Sequence, residues 1–367
     1  MKIAVLTSSR ADYGILTPLL KELQNEQFFD LHIIAFGSHL SSIHGRTIDL
    51  LYEDGFEVNY QFSSIPKSDS PGDISKSIAE TINFLVPIWE KEKYEMIIVL
   101  GDRFEMFAAC VSSIPFNIKI THLHGGETTL GAFDDAFRNS ISHMSYMHFV
   151  AAEQYKKRVV ELTKKEDKVF NVGALSIDNL KTINLLSKED FFKLYKIDLN
   201  KPTILVTFQP ETIEFHKNEY YVNELIDAMS EFNNYQLVIT MPNADTMGNM
   251  IRKNLEDFII KSKNAFRIET FGTLGYLSCM KHSSMMLGNT SSGFIEGSFF
   301  PKYVINIGER QTGRIVTNNI INIPIEKNKI VEAVNGFKFF KLNEYEMIYG
   351  NGDTAKKIIN ILKSATC

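Results

Sequence analysis

The sequence predicts an α/β protein built from two doubly wound domains that face one another across a cleft. Three observations predict this fold. Short β-branched runs alternate with amphipathic helical stretches, the alternation restarts near the middle of the chain, and 367 residues suit two domains better than one. Because strands separated by helices form parallel sheets with crossover connections, each half is expected to form its own parallel sheet.

The first half, residues 1–180, opens with a strand from Ile3 to Thr7 and a helix whose apolar positions recur at helical spacing up to Leu23. Further strands are predicted at Leu31 to Phe36, Met96 to Leu100, Lys119 to Leu123, His148 to Ala151 and Val169 to Val172. A helix is predicted from about Ala136 to Met147. The uninterrupted apolar run before Gly101 is typical of a strand that is buried on both faces.

The second half, residues 181–367, repeats this pattern after a charged helical stretch from about Ser176 to Lys201, where the domain boundary is predicted. Its strands are predicted at Thr203 to Phe208, Tyr235 to Thr240, Ala265 to Glu269, Ser284 to Leu287, Tyr303 to Ile307 and Ile320 to Ile323. In such folds ligands bind at the carboxyl ends of the parallel strands. We therefore look for functional residues in the loops that follow the strands.

Composition and charge narrow the class of protein. The chain is 44% apolar and 23% charged, with a net charge of −5 and no basic tract, so neither a nucleic acid nor a membrane is an expected partner. Cys110, Cys279 and Cys367 are an odd number without metal-ligand spacing, which suits a reducing compartment. The short apolar run at the N-terminus is typical of a strand rather than a signal peptide, and no stretch has the length of a membrane span. We expect a soluble, cytoplasmic protein.

Two loops of the first half carry charged residues directly after strands. The loop from Ser8 to Gly14 contains Arg10 and Asp12, and a guanidinium beside the N–H groups of a helix start suits a phosphate. Gly101-Asp102-Arg103 places a carboxylate and a guanidinium at the next strand end. For each loop the alternative is structural, because the aspartate can instead cap the following helix.

The densest cluster runs from His122 through His124 to Glu127, and Asp134, Asp135 and Arg138 follow shortly after it. Crowded carboxylates shift one another's pKa values, as proton abstraction from a carbon atom requires. A metal site is one alternative, although the spacing matches no standard zinc pattern. Buried, hydrogen-bonded histidines with capping carboxylates are the other alternative.

Polar loops also follow strands of the second half. The segment from Gly288 to Gly293 contains Thr290 and Ser291 and precedes a helix that bears Glu296, an arrangement that can cradle a phosphate. It is neither a Walker loop nor a dinucleotide fingerprint, which disfavours an ATPase or a dehydrogenase. The segments 241–245 and 308–314 add further polar side chains, including two guanidinium groups.

Taken together, these loops resemble the hydrolysing UDP-N-acetylglucosamine 2-epimerases of sialic acid biosynthesis over nearly the whole chain. The resemblance rests on six segments in the family's order, residues 9–14, 100–103, 122–127, 243–246, 288–293 and 308–314. It implies two Rossmann-like domains as in GT-B glycosyltransferases, with a last helix at about 353–365 that returns to the first domain. It also implies a UDP-amino sugar as partner, neither cofactor nor metal, and a homodimer or a dimer of dimers.

The resemblance implies the chemistry as well. UDP leaves by anti elimination as the C2 proton is removed, and water adds to the resulting 2-acetamidoglucal to give N-acetylmannosamine. The implied catalytic residues are Asp102, Glu127, Asp134, His124 and Asp135. The implied UDP contacts are Arg10, Arg103, Gln209, Asn243, Thr290, Ser291, Glu296 and Arg314. Family members usually have His in place of Gln209, and because an amide cannot transfer a proton, Gln209 is expected to contact the ligand at most.

Several alternatives stay open at this point. A close branch of the family acts on UDP-2,4-diacetamido-2,4,6-trideoxyglucose in legionaminic acid biosynthesis, and the motifs do not assign the residues that contact C4 and C6 of the sugar. A non-hydrolysing epimerase would keep UDP on its product. A GT-B glycosyltransferase would need an acceptor sugar, and a sensing protein would bind the nucleotide sugar without turnover.

Overall fold

The computed structural model describes residues 1–42, 45–242, 247–300, 302–339 and 347–365. The chain forms two compact units. The first unit comprises residues 1–127, 134–182 and 348–367, and the second comprises residues 128–133 and 183–347. Within the described ranges, no helix is both long enough and apolar enough to cross a membrane.

The first unit contains a parallel sheet of seven strands. Its strands are β1 (Lys2–Thr7), β2 (Asp30–Ala35), β3 (Tyr60–Gln61), β4 (Met96–Leu100), β5 (Lys119–Leu123), β6 (Met147–Val150) and β7 (Val169–Asn171). Its helices are α1 (Arg10–Asn25), α2 (Ile48–Glu53), α3 (Pro71–Glu92), α4 (Phe104–Ser113), α5 (Asp134–Met144), α6 (Glu153–Thr163) and α7 (Leu175–Thr182). The strand order β3-β2-β1-β4-β5-β6-β7 is that of a doubly wound sheet.

Alternation along β1 shows how the sheet acquires a core on each face. Ile3 and Val5 pack with Leu16 and other apolar residues of α1, whereas Leu6 belongs to the cluster on the opposite face, which includes Trp89. Successive side chains of a strand point to opposite faces, so a strand that is apolar at every position fills two cores.

The helix predicted from about Ala136 to Met147 is wrong at both ends. It begins at Asp134 and ends at Met144, and Met147 is the first residue of β6. The Tyr146 N–H already donates to the carbonyl of Ile120 in β5 at 2.8 Å, so the chain has joined the sheet by that point.

The second unit contains a parallel sheet of six strands in the order β10-β9-β8-β11-β12-β13. Its strands are β8 (Thr203–Thr207), β9 (Gln236–Thr240), β10 (Ala265–Ile268), β11 (Met285–Gly288), β12 (Tyr303–Ile307) and β13 (Ile320–Ile323). Its helices are α8 (Lys188–Tyr195), α9 (Asn218–Met229), α10 (Gly248–Lys261), α11 (Gly272–His282), α12 (Glu296–Phe299) and α13 (Lys327–Gly336). The two parallel sheets with alternating helices confirm the predicted α/β class.

The last helix, α14 (Thr354–Ala365), belongs to the first unit. The Asp178 carboxylate accepts the backbone N–H groups of Thr354 at 3.1 Å and Ala355 at 2.8 Å, which satisfies two donors at the start of this helix. Ile358 and Leu362 then enter the same apolar cluster as the first helix of the chain. Both the cap and the apolar face hold α14 on this unit.

Candidate active site

Three of the predicted loops follow neighbouring strands of the first unit. Strands β1, β4 and β5 are adjacent in the sheet, and the loops that begin at Ser8, Gly101 and His124 leave their carboxyl ends. In a parallel sheet these ends lie at one edge. Segments more than a hundred residues apart in the chain therefore share one region of the molecule.

A buried arginine links the acidic residues at this edge. The Arg138 side chain is 3% exposed and donates to the carboxylates of Asp102 and, at 3.3 Å, Glu127. It also donates to the carbonyl oxygen of His124 at 3.2 Å. Burial by itself lowers the pKa of Arg138, but the neighbouring charges of Asp102 and Glu127 raise this pKa above its usual value. Arg138 therefore remains cationic and keeps two carboxylates within one hydrogen-bonded network.

A histidine–carboxylate pair completes the network. The His124 Nδ1 lies 2.6 Å from the Glu127 Oε1, and both side chains are almost fully buried. Within the described part of the chain, the His124 Nε2 is buried without a hydrogen-bond partner. A carboxylate that orients one ring nitrogen and leaves the other available is an arrangement suited to proton transfer.

The backbone around this pair is held in uncommon conformations. His124 has a φ of +63°, a left-handed conformation that costs a non-glycine residue about 1–2 kcal/mol. Gly126 has a φ of +77°, and a Cβ at this position would lie 2.4 Å from the Tyr155 carbonyl oxygen. Only glycine fits there, and this sharp turn lets Glu127 reach back to His124.

The aspartates predicted as catalytic lie at the start of α5. Asp134 precedes Arg138 by four residues and so lies on the same face of the helix. Asp135 accepts a hydrogen bond from the Asn139 side chain at 3.0 Å, and its charge adds to those that raise the pKa of Arg138. Arg138 was predicted as a member of the cluster without a role, and its spacing of four residues from Asp134 was the available signal.

Arg103 is held by a buried glutamate that the sequence analysis did not consider. The Arg103 Nε and one terminal nitrogen donate to the two carboxylate oxygens of Glu105 at 3.1 and 3.0 Å. Glu105 is buried at the start of α4. These two parallel hydrogen bonds fix the orientation of the guanidinium. A fixed orientation favours the diphosphate binding that is proposed for Arg103.

In the loop after β1, Asp12 accepts backbone N–H groups that could otherwise bind a ligand. Asp12 is buried and accepts the backbone N–H groups of Ser8 and Ser9, each at 2.8 Å, and forms a capping box with Ser9 at the start of α1. These two N–H groups are therefore committed within the chain. Arg10, the first residue of the helix, remains the candidate UDP contact of this loop.

His122 lies beneath the loop that bears Asp102. Its Nδ1 contacts the Ser142 hydroxyl at 3.1 Å, and its Nε2 contacts the carbonyl oxygen of Gly101 at 2.8 Å. Burial lowers the pKa of His122 to about 4 and that of His148, on the neighbouring strand, to about 3. Both imidazoles are neutral at physiological pH, so His122 supports the turn before Asp102 by hydrogen bonding.

Neutral side chains organise the loops of the second unit. The Asn289 side chain accepts the Gln209 N–H at 2.7 Å and donates to the Gln209 carbonyl at 2.8 Å. The Gln311 side chain donates to the Asn289 carbonyl at 2.8 Å. Asn289 thus joins the loops that follow β8, β11 and β12, a role that the sequence analysis did not foresee.

The segment proposed to cradle a phosphate is a tight turn. Thr290 caps a 3-10 turn at Ser291–Gly293, and the Ser292 hydroxyl contacts that of Tyr276 at 2.5 Å. The helix that begins at Glu296 has only four residues, so any phosphate contact here comes from the turn and its hydroxyl groups.

Two further UDP candidates of this unit, Glu296 and Arg314, are mostly buried. Asn243 lies outside the described residues.

Glu211 was also absent from the predicted site. Its carboxylate accepts the Arg310 N–H at 3.1 Å, while its backbone N–H donates to the Asn218 side chain at 2.9 Å. Burial raises the pKa of Glu211. The residue holds the loop after β12 to the loop after β8.

Comparison with known proteins decides the family. The family model described as UDP-N-acetylglucosamine 2-epimerase matches residues 21–363. The chain belongs to this family. The resemblance predicted from the six motif segments is thereby confirmed, and this family member is a UDP-sugar 2-epimerase.

Individual relatives and solved structures are similar to this chain over most of its length. It is 37% identical over 327 residues to the GDP/UDP-N,N'-diacetylbacillosamine 2-epimerase (hydrolyzing) of Campylobacter jejuni, covering 88% of this chain and 84% of that one. It is 31% identical over 367 residues to the UDP-N,N'-diacetylbacillosamine 2-epimerase (hydrolyzing) of Legionella pneumophila, covering 99% and 96%. The crystal structure of the Neisseria meningitidis UDP-GlcNAc 2-epimerase bound to UDP-GlcNAc superposes with a TM-score of 0.83 at 19% identity, covering 99% and 100%.

Proposed function

We propose that this epimerase is a hydrolysing enzyme that releases UDP from a UDP-2-acetamido sugar and inverts the sugar at C2. The buried network of Asp102, His124, Glu127 and Arg138 is the observation that carries the proposal. It combines two carboxylates, an imidazole and a fixed positive charge, which are the groups that proton removal and return require.

The reaction divides into two steps. In the first, a carboxylate or the imidazole takes the C2 proton, the C1–O bond breaks, and UDP leaves with the bonding electrons to give a 2-acetamidoglucal. In the second, water adds its oxygen to C1 and gives one proton to a protein base, while a protein acid returns a proton to C2 from the opposite face. Departure of the diphosphate avoids a free carbanion, and a guanidinium such as Arg103 or Arg314 would stabilise its charge.

We assign the roles by position. His124 and Glu127 act as one proton-transfer pair, with Asp102 and Asp134 as the carboxylates for the opposite face of the sugar. Arg10, Thr290, Ser291 and Glu296 are the proposed UDP contacts, and a carboxylate such as Glu296 suits the ribose hydroxyls. Gln209 is proposed as a hydrogen-bonding contact that takes no part in proton transfer.

The substrate we propose is UDP-2,4-diacetamido-2,4,6-trideoxyglucose, that is, UDP-N,N'-diacetylbacillosamine. Two relatives above 30% identity carry the name of this substrate. UDP-N-acetylglucosamine, which the sequence motifs alone favour, is the second candidate. The two differ at C4 and C6 of the sugar, so they share the chemistry at C1 and C2.

The test is NMR of the purified protein in D2O with each UDP-sugar in parallel. We expect free UDP together with a manno-configured sugar that carries deuterium at C2, formed with a higher kcat/KM from the diacetamido substrate. A higher kcat/KM for UDP-N-acetylglucosamine would reverse the order of the two substrates. UDP retained on an epimerised product would indicate the non-hydrolysing reaction, and binding without any product would overturn the proposal.

A further inference from the structure

The chain leaves the first unit directly after Glu127 and returns to it directly before Asp134. Residues 128–133, here called the strap, belong to the second unit. Both flanking residues are proposed acid/base carboxylates. The contacts that hold the strap therefore influence the positions of these two carboxylates. The sequence pattern does not predict that residues 128–133 belong to the second unit.

Backbone contacts within the second unit hold the middle of the strap. The Leu130 N–H donates to the Thr312 carbonyl at 3.2 Å, and the Ile213 N–H donates to the Gly131 carbonyl at 3.4 Å. Gly131 packs so closely that a Cβ there would lie 2.5 Å from the Glu309 carbonyl carbon. A side chain at position 131 would therefore displace either the strap or the loop after β12.

A side-chain hydroxyl holds the end of the strap. The Phe133 N–H donates to the Thr212 Oγ1 at 3.0 Å, and Thr212 is 5% exposed. Thr212 lies in the loop after β8, three residues beyond Gln209. Phe133 is covalently joined to Asp134, so this hydrogen bond orients the peptide that leads into α5.

We propose that Thr212 is a positioning residue, which holds Asp134 in place for proton transfer through the Phe133 peptide. The inference rests on the proposed role of Asp134. The Phe133 N–H is partly buried and needs an acceptor, and the Thr212 hydroxyl supplies it at the residue before the carboxylate.

Three variants test the inference. Thr212→Val keeps the shape and removes the acceptor, and we expect kcat to fall by about 10- to 100-fold while the Kd for UDP changes by less than about twofold. Thr212→Ser restores the hydroxyl and should recover most of kcat. Thr203→Val is the matched control, because Thr203 is a buried threonine at the amino end of β8 whose hydroxyl donates to the Lys201 carbonyl at 2.8 Å. It should lower Tm and leave kcat unchanged.

The pH profile of kcat separates positioning from a merely structural role. Asp134→Asn identifies the limb of the profile that depends on this carboxylate, and we expect that limb to shift in Thr212→Val and not in Thr203→Val. If Thr212→Val lowers Tm with kcat and its pH profile unchanged, or if Thr212→Ser fails to recover kcat, the inference is overturned.

Gly131→Ala and the Asp134→Asn variant keep the outcome interpretable. Gly131→Ala displaces the strap from its other anchor, so it should lower kcat even if Thr212→Val does not fold, and unchanged kcat in Gly131→Ala would overturn the inference. If Asp134→Asn retains full kcat, the proposed role of Asp134 fails. If Asp134→Asn loses activity while Thr212→Val does not, only the positioning role of Thr212 fails.

Discussion

The polar residues at the carboxyl ends of the strands differ in charge between the two units. In the first unit, Arg138 forms a buried network of full charges with Asp102 and Glu127. In the second, Asn289 and Gln311 connect the corresponding loops through neutral amides. Carboxylates and imidazoles can take up or release a proton, whereas amides do not titrate and hold a geometry independent of pH. We infer that the first unit performs the proton transfers and that the second holds the nucleotide.

The largest expected effect is that of Glu127→Gln, which removes a charge and keeps the shape. Loss of a general acid/base group lowers kcat by about 10²- to 10⁴-fold, and the Kd for UDP should be unchanged. The matched control is Glu211→Gln, because Glu211 is also buried and its carboxylate accepts the Arg310 N–H, a hydrogen bond that an amide oxygen can accept as well. UDP release and deuterium at C2 measure both variants. Equal losses of kcat in the two variants would contradict the division of roles.

Arg138→Met is next, because it leaves the buried Glu127 carboxylate and the half-buried Asp102 carboxylate without their cation. Breaking such a network costs about 3–5 kcal/mol in the free energy of unfolding. Arg252→Met is the control in the second unit, where the Arg252 and Glu269 side chains are 12% and 21% exposed and should lose only about 1 kcal/mol. Urea unfolding measures both. A similar loss in both variants would mean that the depth of burial does not distinguish these pairs.

Asn289→Leu tests the neutral amide hydrogen bonds that connect the loops of the second unit. It leaves the Gln209 N–H and carbonyl without their partner, which costs about 1–3 kcal/mol for each buried group. Because the loop then loses its shape, the Kd for UDP should rise about tenfold or more, with a smaller effect on kcat. Asn319→Leu removes contacts to the carbonyls of Gly297 and Lys302 and serves as the control. It should lower stability and leave UDP binding unchanged, as isothermal titration can show.

Much of the fold could be predicted from the sequence, because parallel strands that are buried on both faces are continuous apolar runs. The run from Met96 to Leu100 coincides with β4, whereas β3 was missed because two residues form no pattern. The segments that carry the site were found for the same reason, since they directly follow such runs.

The partners of the site residues could not be predicted. Glu211 and Asn289 act through contacts with loops that the sequence does not place beside them, and the exchange of residues 128–133 depends on tertiary packing. Arg138 differs, because its helical spacing from Asp134 is visible in the sequence. What remained hidden is that its guanidinium would be buried and shared by two carboxylates.

The buried imidazoles of the first unit add a dependence of stability on pH. The pKa values of His122 and His148 are lowered by burial to about 4 and about 3, against about 6.5 in the unfolded chain. Below pH 6.5 the unfolded state therefore binds protons that the folded state does not. The free energy of unfolding should fall with decreasing pH by about 1.4 kcal/mol per unit for each histidine, until the folded pKa is reached.

Trp89, the single tryptophan, is buried in the first unit, so its fluorescence follows the unfolding of that unit in urea between pH 7.5 and 4.5. His148→Leu should reduce the slope by about half. Both ring nitrogens of His148 are buried without a hydrogen-bond partner among the described residues, so leucine should cost little at pH 7.5. His122→Leu should reduce the slope equally but lose stability at every pH, since the Gly101 carbonyl loses its donor. If His148→Leu keeps the full slope, the acid sensitivity of this unit comes from its carboxylates rather than from its neutral imidazoles.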